Sequence, residues 1–205
     1  MLSRGLEELA IGPRDRREPL AARLAMLTEL LRRWNEQINL TAHRTLDAIA
    51  RRLILDAAAL SQILPEFESL ADLGSGPGLP GLPLALLRPH CRVTLVEARE
   101  RPHHFQRAAV RELGLSNVSL RLGRAESLQP ELHAAVIAQA VAQPNRVLRW
   151  MLPWVEPGGC MFIPAGPQPP ELPGIERVEP LPPVEYRVPC GGPVRSVWMG
   201  RRSLQ

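Results

Sequence analysis

The sequence predicts an α/β fold: a mostly parallel sheet with helices on both faces, preceded by an N-terminal helical segment. Three observations point there. Residues 20–64 carry only helical periodicity. From Leu70 onward, short apolar runs alternate with helical stretches, the signature of βα units. A glycine-rich string follows the first of those runs. The 205 residues, 45% hydrophobic and 22% charged, suffice for one compact domain and exclude general disorder. Residues 1–64 form the helical segment packed on the core, and residues 65–205 the core with its proline-rich loops.

Leu20, Leu24, Leu27, Leu31, Trp34 and Ile38 recur every three or four positions, predicting a helix over 20–40. Thr45 is placed to N-cap a second helix reaching about Leu64, with Leu46, Ile49, Leu53, Ala57 and Leu60 on one face and Pro65 as its stop. Ser69 to Leu73 reads as a strand running into the glycines, and Leu82 to Leu87 as a helix. Arg92 to Glu97 is the next strand, and residues 101–114 a helix that turns Phe105, Ala109 and Leu113 inward. Val118 to Leu122 and Ala134 to Val141 give two further strands. Residues 145–155 read as helical, after which Pro157-Gly158-Gly159 turns into a strand from Cys160 to Ile163. Residues 164–193 hold ten prolines and predict loops and edge strands, and Val194 to Gly200 a final strand.

All 25 basic residues are arginine, a bias that a GC-rich genome accounts for in bulk. Its distribution is uneven: residues 61–87 contain no arginine, whereas residues 88–124 contain eight arginines against three acids. That segment predicts a polyanionic partner. No apolar run reaches the roughly 18 residues of a membrane span, and the first residues carry Glu7 and Glu8 rather than a leader-like apolar core. Cys91, Cys160 and Cys190 have neither redox nor zinc-ligand spacing and read as reduced thiols. The sequence therefore predicts a cytoplasmic protein without a metal site.

Between a strand and a helix, a glycine-rich turn lets backbone approach a ligand at the helix N-terminus. Gly76, Gly78 and Gly81 fit the dinucleotide pattern G-x-G-x-x-G, and Asp72, Gly74, Gly76 and Gly78 fit the D-x-G-x-G-x-G of S-adenosylmethionine-dependent methyltransferases. Asp72 decides between them: a carboxylate before the loop suits a cationic ammonium or sulfonium and would repel a pyrophosphate. Glu97 ends the second strand, 19 residues after Gly78, where a carboxylate can accept from both ribose hydroxyls. Ala125 and Glu126 follow the third strand, in position for an adenine edge.

Trp34-Asn35-Glu36-Gln37-Ile38-Asn39-Leu40-Thr41-Ala42, Ile54-Leu55-Asp56 and, above all, the string from Asp72 to Ala85 resemble the bacterial ribosomal RNA small-subunit methyltransferase G family, also called glucose-inhibited division protein B. The likeness spans about residues 20–163. It implies a Rossmann-like class I methyltransferase that transfers a methyl group from S-adenosylmethionine to N7 of a guanine in small-subunit ribosomal RNA. It also implies a monomer acting on that RNA or its particle. By the same resemblance Gly74 and Leu79 line the cofactor site, Ala125 and Glu126 hold the adenine, and Gln139 stands where the family has an arginine that contacts the cofactor. Asn39 and Thr41 match a family signature that either lines the substrate site or bonds local backbone. Arg99, Arg101, Arg107 and Arg111 are candidates for the RNA backbone, with ordinary solvated helix charges as the alternative.

The likeness has gaps at four places. The family's Ser-Arg-Ala after the fourth strand is Ala138-Gln139-Ala140, its Phe-Asp before that strand is Leu132-His133, its Arg-His is Arg52-Leu53, and its Lys-Gly is Ala165-Gly166. Placed near the site, these changes leave two readings: an active RNA methyltransferase, and a divergent, catalytically weak paralogue that retains the fold and cofactor binding. A small-molecule methyltransferase is a third.

Overall fold

The computed structural model describes residues 1–139, 144–172 and 174–204. Helix α1 (Leu2–Glu8), which no sequence pattern announced, precedes α2 (Arg14–Ile38). The second helix starts before the predicted Leu20 and runs through Pro19, whose missing N–H removes a single bond near its start. The predicted 45–64 helix is divided. Thr45 does cap α3 (Leu46–Ile49), its Oγ1 accepting from the Ala48 amide at 3.2 Å. A π-helical turn over Ala50–Ile54 then leads into α4 (Leu55–Ile63).

The core consists of β1 (Ser69–Leu73), α5 (Gly81–Leu87), β2 (Arg92–Glu97), α6 (Glu100–Glu112), β3 (Val118–Leu122), β4 (His133–Ile137), α7 (Pro144–Met151), β5 (Val155–Ala165), β6 (Val178–Arg187) and β7 (Val194–Arg202). The sheet order is β3-β2-β1-β4-β5-β7-β6. Its first five strands are parallel, and β7 joins antiparallel to both β5 and β6. All of β1 is buried, as a central strand covered on both faces must be. From β1 the chain winds outward to β2 and β3, then returns to β4 on the other side. That reversal opens a crevice at the C-terminal ends of β1, β2 and β4.

Three boundaries differ from the sequence reading. The fourth strand covers only His133–Ile137, and residues 140 and 141 lie outside the described residues. The helix expected to reach residue 155 ends at Met151, followed by a 3-10 turn over Leu152–Trp154. The strand expected from Cys160 already begins at Val155, which pairs with His133 before the register jumps to Ala135↔Cys160. Pro157-Gly158-Gly159 is thus a bulge inside β5 rather than the turn before it. Edge strand β6 carries Pro180, Pro182 and Pro183, which an interior strand could not accept.

The N-terminal helices share one apolar core with the sheet. Leu24, Leu27 and Leu31 of α2 and Leu55 and Ala58 of α4 join Leu82, Leu95 and Phe105 in a continuous buried cluster. Trp34 meets the fully buried Phe105 edge-on, with ring centroids 5.8 Å apart. Among the described residues no helix is long and apolar enough to cross a membrane.

Because Phe105 fastens α2 to α6, Phe105→Ala should cost about 3–5 kcal/mol of unfolding free energy. Urea titration should show a lower midpoint with an unchanged slope.

Candidate functional site

The segment between β1 and α5 folds back over the strand ends. Gly74 and Ser75 donate their amides to the Val96 carbonyl at 2.8 and 3.0 Å, which ties the loop to β2. Gly78 has φ +81, and a Cβ there would lie 2.6 Å from Leu82 Cγ, so only glycine fits. At Gly81 a Cβ would lie 2.3 Å from Leu95 and 2.8 Å from Asp72 Oδ2, so α5 can approach β1 and β2 only without one. The peptide between Leu79 and Pro80 is cis.

Asp72, expected to face a cationic ligand, points instead toward α5. Its carboxylate is fully buried behind the loop, where Oδ2 accepts from the Gly81 amide at 2.9 Å. Burial pushes its pKa up to about 7, the Gly81 bond opposing and the charge of Glu97 adding to the rise. It braces the loop from below. Glu97 is likewise buried, but at the crevice. Its Oε2 accepts from the Gly76 amide at 2.7 Å, and its Oε1 from the Arg99 amide at 2.9 Å and guanidinium at 3.1 Å. A carboxylate offers about four lone-pair sites, so Glu97 keeps capacity for a further donor.

Gly74, Ala125 and Glu126 come together around a cavity of about 120 Å³. Val96, Val147 and Met151 give it apolar faces, Glu126 and Arg124 a polar mouth, and Ala138 an edge. Its lining sets apolar side chains beside the Glu126 carboxylate. Trp154, fully buried beneath it, donates its indole N–H to the Ala125 carbonyl at 3.2 Å. Leu79 and Gln139 line a second, smaller cavity with Leu53, Asp56 and Tyr186. There the Tyr186 hydroxyl donates to Asp56 Oδ1 at 2.8 Å, and Arg195 lies 3.2 Å from Asp56 Oδ2. Burial raises the Asp56 pKa, with Arg195 and Tyr186 opposing, and raises that of Tyr186 as well.

The polar candidates separate. Asn39, Arg99 and Arg101 line one groove between the end of α2 and the start of α6. Asn39 caps α2 in the left-handed conformation, and its Oδ1 accepts from Arg44 at 2.9 Å. Thr41 is not in that groove; its Oγ1 accepts from the His43 amide at 3.2 Å, a local turn. The buried architectural residue of this segment is Asn35, which accepts from the Thr41 amide and donates to the His43 carbonyl.

The four departures from the family pattern also separate. His133 sits at the start of β4, away from the crevice, bonded to Thr94 Oγ1 at 2.9 Å and stacked on Trp154, so it is a packing residue. Leu132 beside it is exposed. Ala165 ends β5 opposite Ser196 and lines neither cavity. Only Leu53 and Gln139 share a cavity, so the expectation of four changes around the site reduces to two. Ala140 lies outside the described residues.

Sequence reasoning passed over Gln106. Fully buried on α6, it donates through Nε2 to Ser75 Oγ at 2.9 Å and to the Gly76 carbonyl at 2.7 Å, holding the loop from the side. Its signal was an uncharged polar residue next to the inward-facing Phe105. Asp56 had one too: a carboxylate within an alanine- and leucine-rich helix.

A family model described as rRNA small subunit methyltransferase G matches residues 21–171. The chain is 40% identical over 153 residues to the "Ribosomal RNA small subunit methyltransferase G" of Stenotrophomonas maltophilia, covering 74% of this chain and 72% of that protein. It is 37% identical over 171 residues to the protein of that name from Xanthomonas oryzae, covering 83% and 78%. Among solved structures, M. jannaschii TYW2 in complex with AdoMet superposes with a TM-score of 0.55 at 15% identity, over 73% of this chain and 74% of that one. TrmN from Thermus thermophilus does so with a TM-score of 0.52 at 17% identity, over 73% and 48%. These two show a shared fold.

Asp72 has a raised pKa in the folded chain and an ordinary one near 4 when unfolded, so the folded state holds the extra proton between about pH 4 and 7. Its contribution is full below pH 4 and declines as pH rises toward 7. The neutral, isosteric Asp72→Asn removes that decline. Urea unfolding at pH 5 and pH 7 should therefore show wild type losing more stability than the variant over this interval; parallel losses would place an ionised Asp72 in the folded state throughout.

Proposed function

Because the chain belongs to the rRNA small subunit methyltransferase G family, we propose that it methylates N7 of a guanine in small-subunit ribosomal RNA. It is an S-adenosylmethionine-dependent methyltransferase. That cofactor supplies a methyl group activated by a sulfonium. The apolar slot and its polar mouth fit an adenosine: Ala125 and Glu126 would take the adenine edge, and Val96 and Met151 its faces. Glu97 would use its remaining lone-pair site on a ribose hydroxyl. Gly74, Gly76, Gly78, Leu79 and Gln139 would border the amino-acid end, with Asp72 positioning the loop rather than touching the ligand.

The observation that supports N7 as the acceptor is that, among the described residues, no free base lines the second cavity. Leu79 and Gln139 have none to offer, and both oxygens of Asp56 already carry partners. Guanine N7 has an in-plane lone pair and no proton to lose, so in-line attack needs positioning rather than proton removal. The groove of Asn39, Arg99 and Arg101 would hold phosphate, and the exposed Arg107 and Arg111 extend its charge along α6. Thr41 would act indirectly, by shaping the turn beside Asn39. A monomer would suffice for this chemistry, and a ribosomal RNA substrate would put it in the cytoplasm.

Mapping of N7-methylguanine in ribosomal RNA from cells with and without the gene tests the reading. One guanine of the small subunit should lose its modification, and an unchanged map would refute it. By calorimetry, Glu97→Gln should bind S-adenosylhomocysteine about tenfold or more weakly while its circular dichroism is unchanged, since an amide cannot accept at both positions. Equal affinity would remove Glu97 from the cofactor site.

A further inference from the structure

The groove between the end of α2 and the start of α6 has more room than a phosphate needs. Its volume is about 370 Å³, inside the ~300–1,000 Å³ of small-ligand sites. Half-buried Ile38 and Leu40 and buried Pro102 are its apolar lining, and exposed Asn39, Arg99, Glu100 and Arg101 its polar one. The groove is preformed. Buried Asn35 accepts from the Thr41 amide at 2.7 Å and donates to the His43 carbonyl at 2.9 Å, so the chain beyond Asn39 is set before anything binds. Arg99 joins the groove to the loop: its guanidinium lies on Glu97, and a Cβ on Gly76 would stand 4.0 Å from it.

Asn39 brings a free donor to this groove. An arginine only donates, so the Asn39 atom that meets Arg44 at 2.9 Å is Oδ1, and the orientation of the amide follows. Among the described residues its Nδ2 hydrogens have no protein partner. The left-handed cap of α2 does not require that amide, because glycine adopts the same conformation more readily. Arg99 is paired with Glu97, whereas Arg101 has no acidic partner among the described residues.

We propose that this groove takes the base of one unpaired RNA nucleotide next to the target. The base lies on Ile38, Leu40 and Pro102, an acceptor on its edge meets Asn39 Nδ2, and its phosphate rests on Arg101. This deepens the phosphate role given to the groove above; it rests on the RNA substrate of that reading but not on N7 as the methylated atom. Sequence-specific RNA recognition works on unstacked bases, which lie on side-chain surfaces and are hydrogen-bonded at their edges. The groove supplies both kinds of contact beside an arginine. Its nucleotide is a neighbour of the target rather than the target itself. Through Arg99 and Glu97 the groove adjoins the ribose end of the cofactor, whereas the sulfonium methyl lies between ribose and amino-acid end. Glu100 accepts only, so it favours a base whose edge also carries a donor.

The test is a cycle between groove and base, read as affinity. Small-subunit ribosomal RNA is prepared with an abasic residue in turn at each unpaired nucleotide beside the methylated one, and binding is followed by fluorescence anisotropy. At one position the lost base should weaken binding to wild type about tenfold. Asn39→Gly keeps the left-handed cap, Asn39→Asp keeps the Arg44 contact as well, and both remove the donor. In each, the penalty at that position should shrink below about threefold. In Arg101→Gln the penalty should stay near about tenfold, while intact RNA binds more weakly and the slope of log affinity against log salt falls by about one. A wild type with no penalty above about twofold at any of these positions overturns the proposal, as does a penalty that keeps its size in whichever Asn39 variant folds. A penalty abolished by Arg101→Gln also overturns it, because the base contact then belongs to that arginine. If the methylated atom is not guanine N7, the preceding reading fails and the same affinities still decide this one. If no nucleotide of the RNA is methylated, both fail.

Discussion

The loop between β1 and α5 is tied down through its own amides, two on the Val96 carbonyl and two on buried carboxylates, and by a buried side chain from α6. Glu97 takes the Gly76 amide and Asp72 the Gly81 amide, while Gln106 reaches Ser75 and Gly76 from α6. These three residues come from two strands and a helix, so the loop is set only once β1 and β2 are paired and α6 is packed. That packing depends in turn on Phe105 and Trp34, which join α6 to the long α2. The N-terminal helices thus do more than cover the sheet: they fix the helix that carries Gln106. A preorganised cradle of this kind binds without the entropic cost of ordering a mobile loop.

The parts of this arrangement written locally in the chain are legible from it. Ser69–Leu73, Arg92–Glu97 and Val118–Leu122 are short apolar runs beside turn residues, and their limits coincide with the observed strands. The glycine string marks the loop because close packing over Asp72, Leu82 and Leu95 leaves no room for side chains. What is written over long separations is not legible. Asp56 and Tyr186 are 130 residues apart, and no spacing rule joins them. The start of β5 was hidden because Pro157-Gly158-Gly159 has the composition of a turn, and only its pairing partner, β4, shows it to be a bulge. The orientation of Asp72 is hidden for a related reason. Its position before the loop is a sequence fact, but whether its carboxylate points to the ligand or into the core depends on how closely α5 approaches β1.

The arginine-only composition takes on a different meaning once the side chains are placed. Arg88 donates to the carbonyls of Ser61, Leu64 and Pro65, closing the C-terminal end of α4. Arg23 reaches the Leu113 carbonyl beyond α6, and Arg202 the carbonyls of Leu152 and Val155. A rigid fork with five donors can satisfy several orphaned carbonyls at a helix end, which a lysine ammonium does less well. Part of the positive charge is therefore structural, and counting residues overstates what is available to an anionic partner.

The charge that remains free is ordered. Within residues 88–124, Arg88 caps a helix, Arg99 leans on Glu97, and Arg121 pairs with Glu131 over the Trp154 ring. Arg124 lies 4.0 Å from Glu126, which leaves the exposed Arg92, Arg101, Arg107 and Arg111, the last three recurring with His104 every three or four residues along one face of α6. The stripe starts at the groove of Asn39 and Arg99. Phosphate contacts of this kind set position and carry no sequence information. Choice of nucleotide must come in addition from groups that read a base edge. The basic face of α6 acts at long range, by charge, whereas reading a base edge requires contact, so attraction and selection make different demands on the fold.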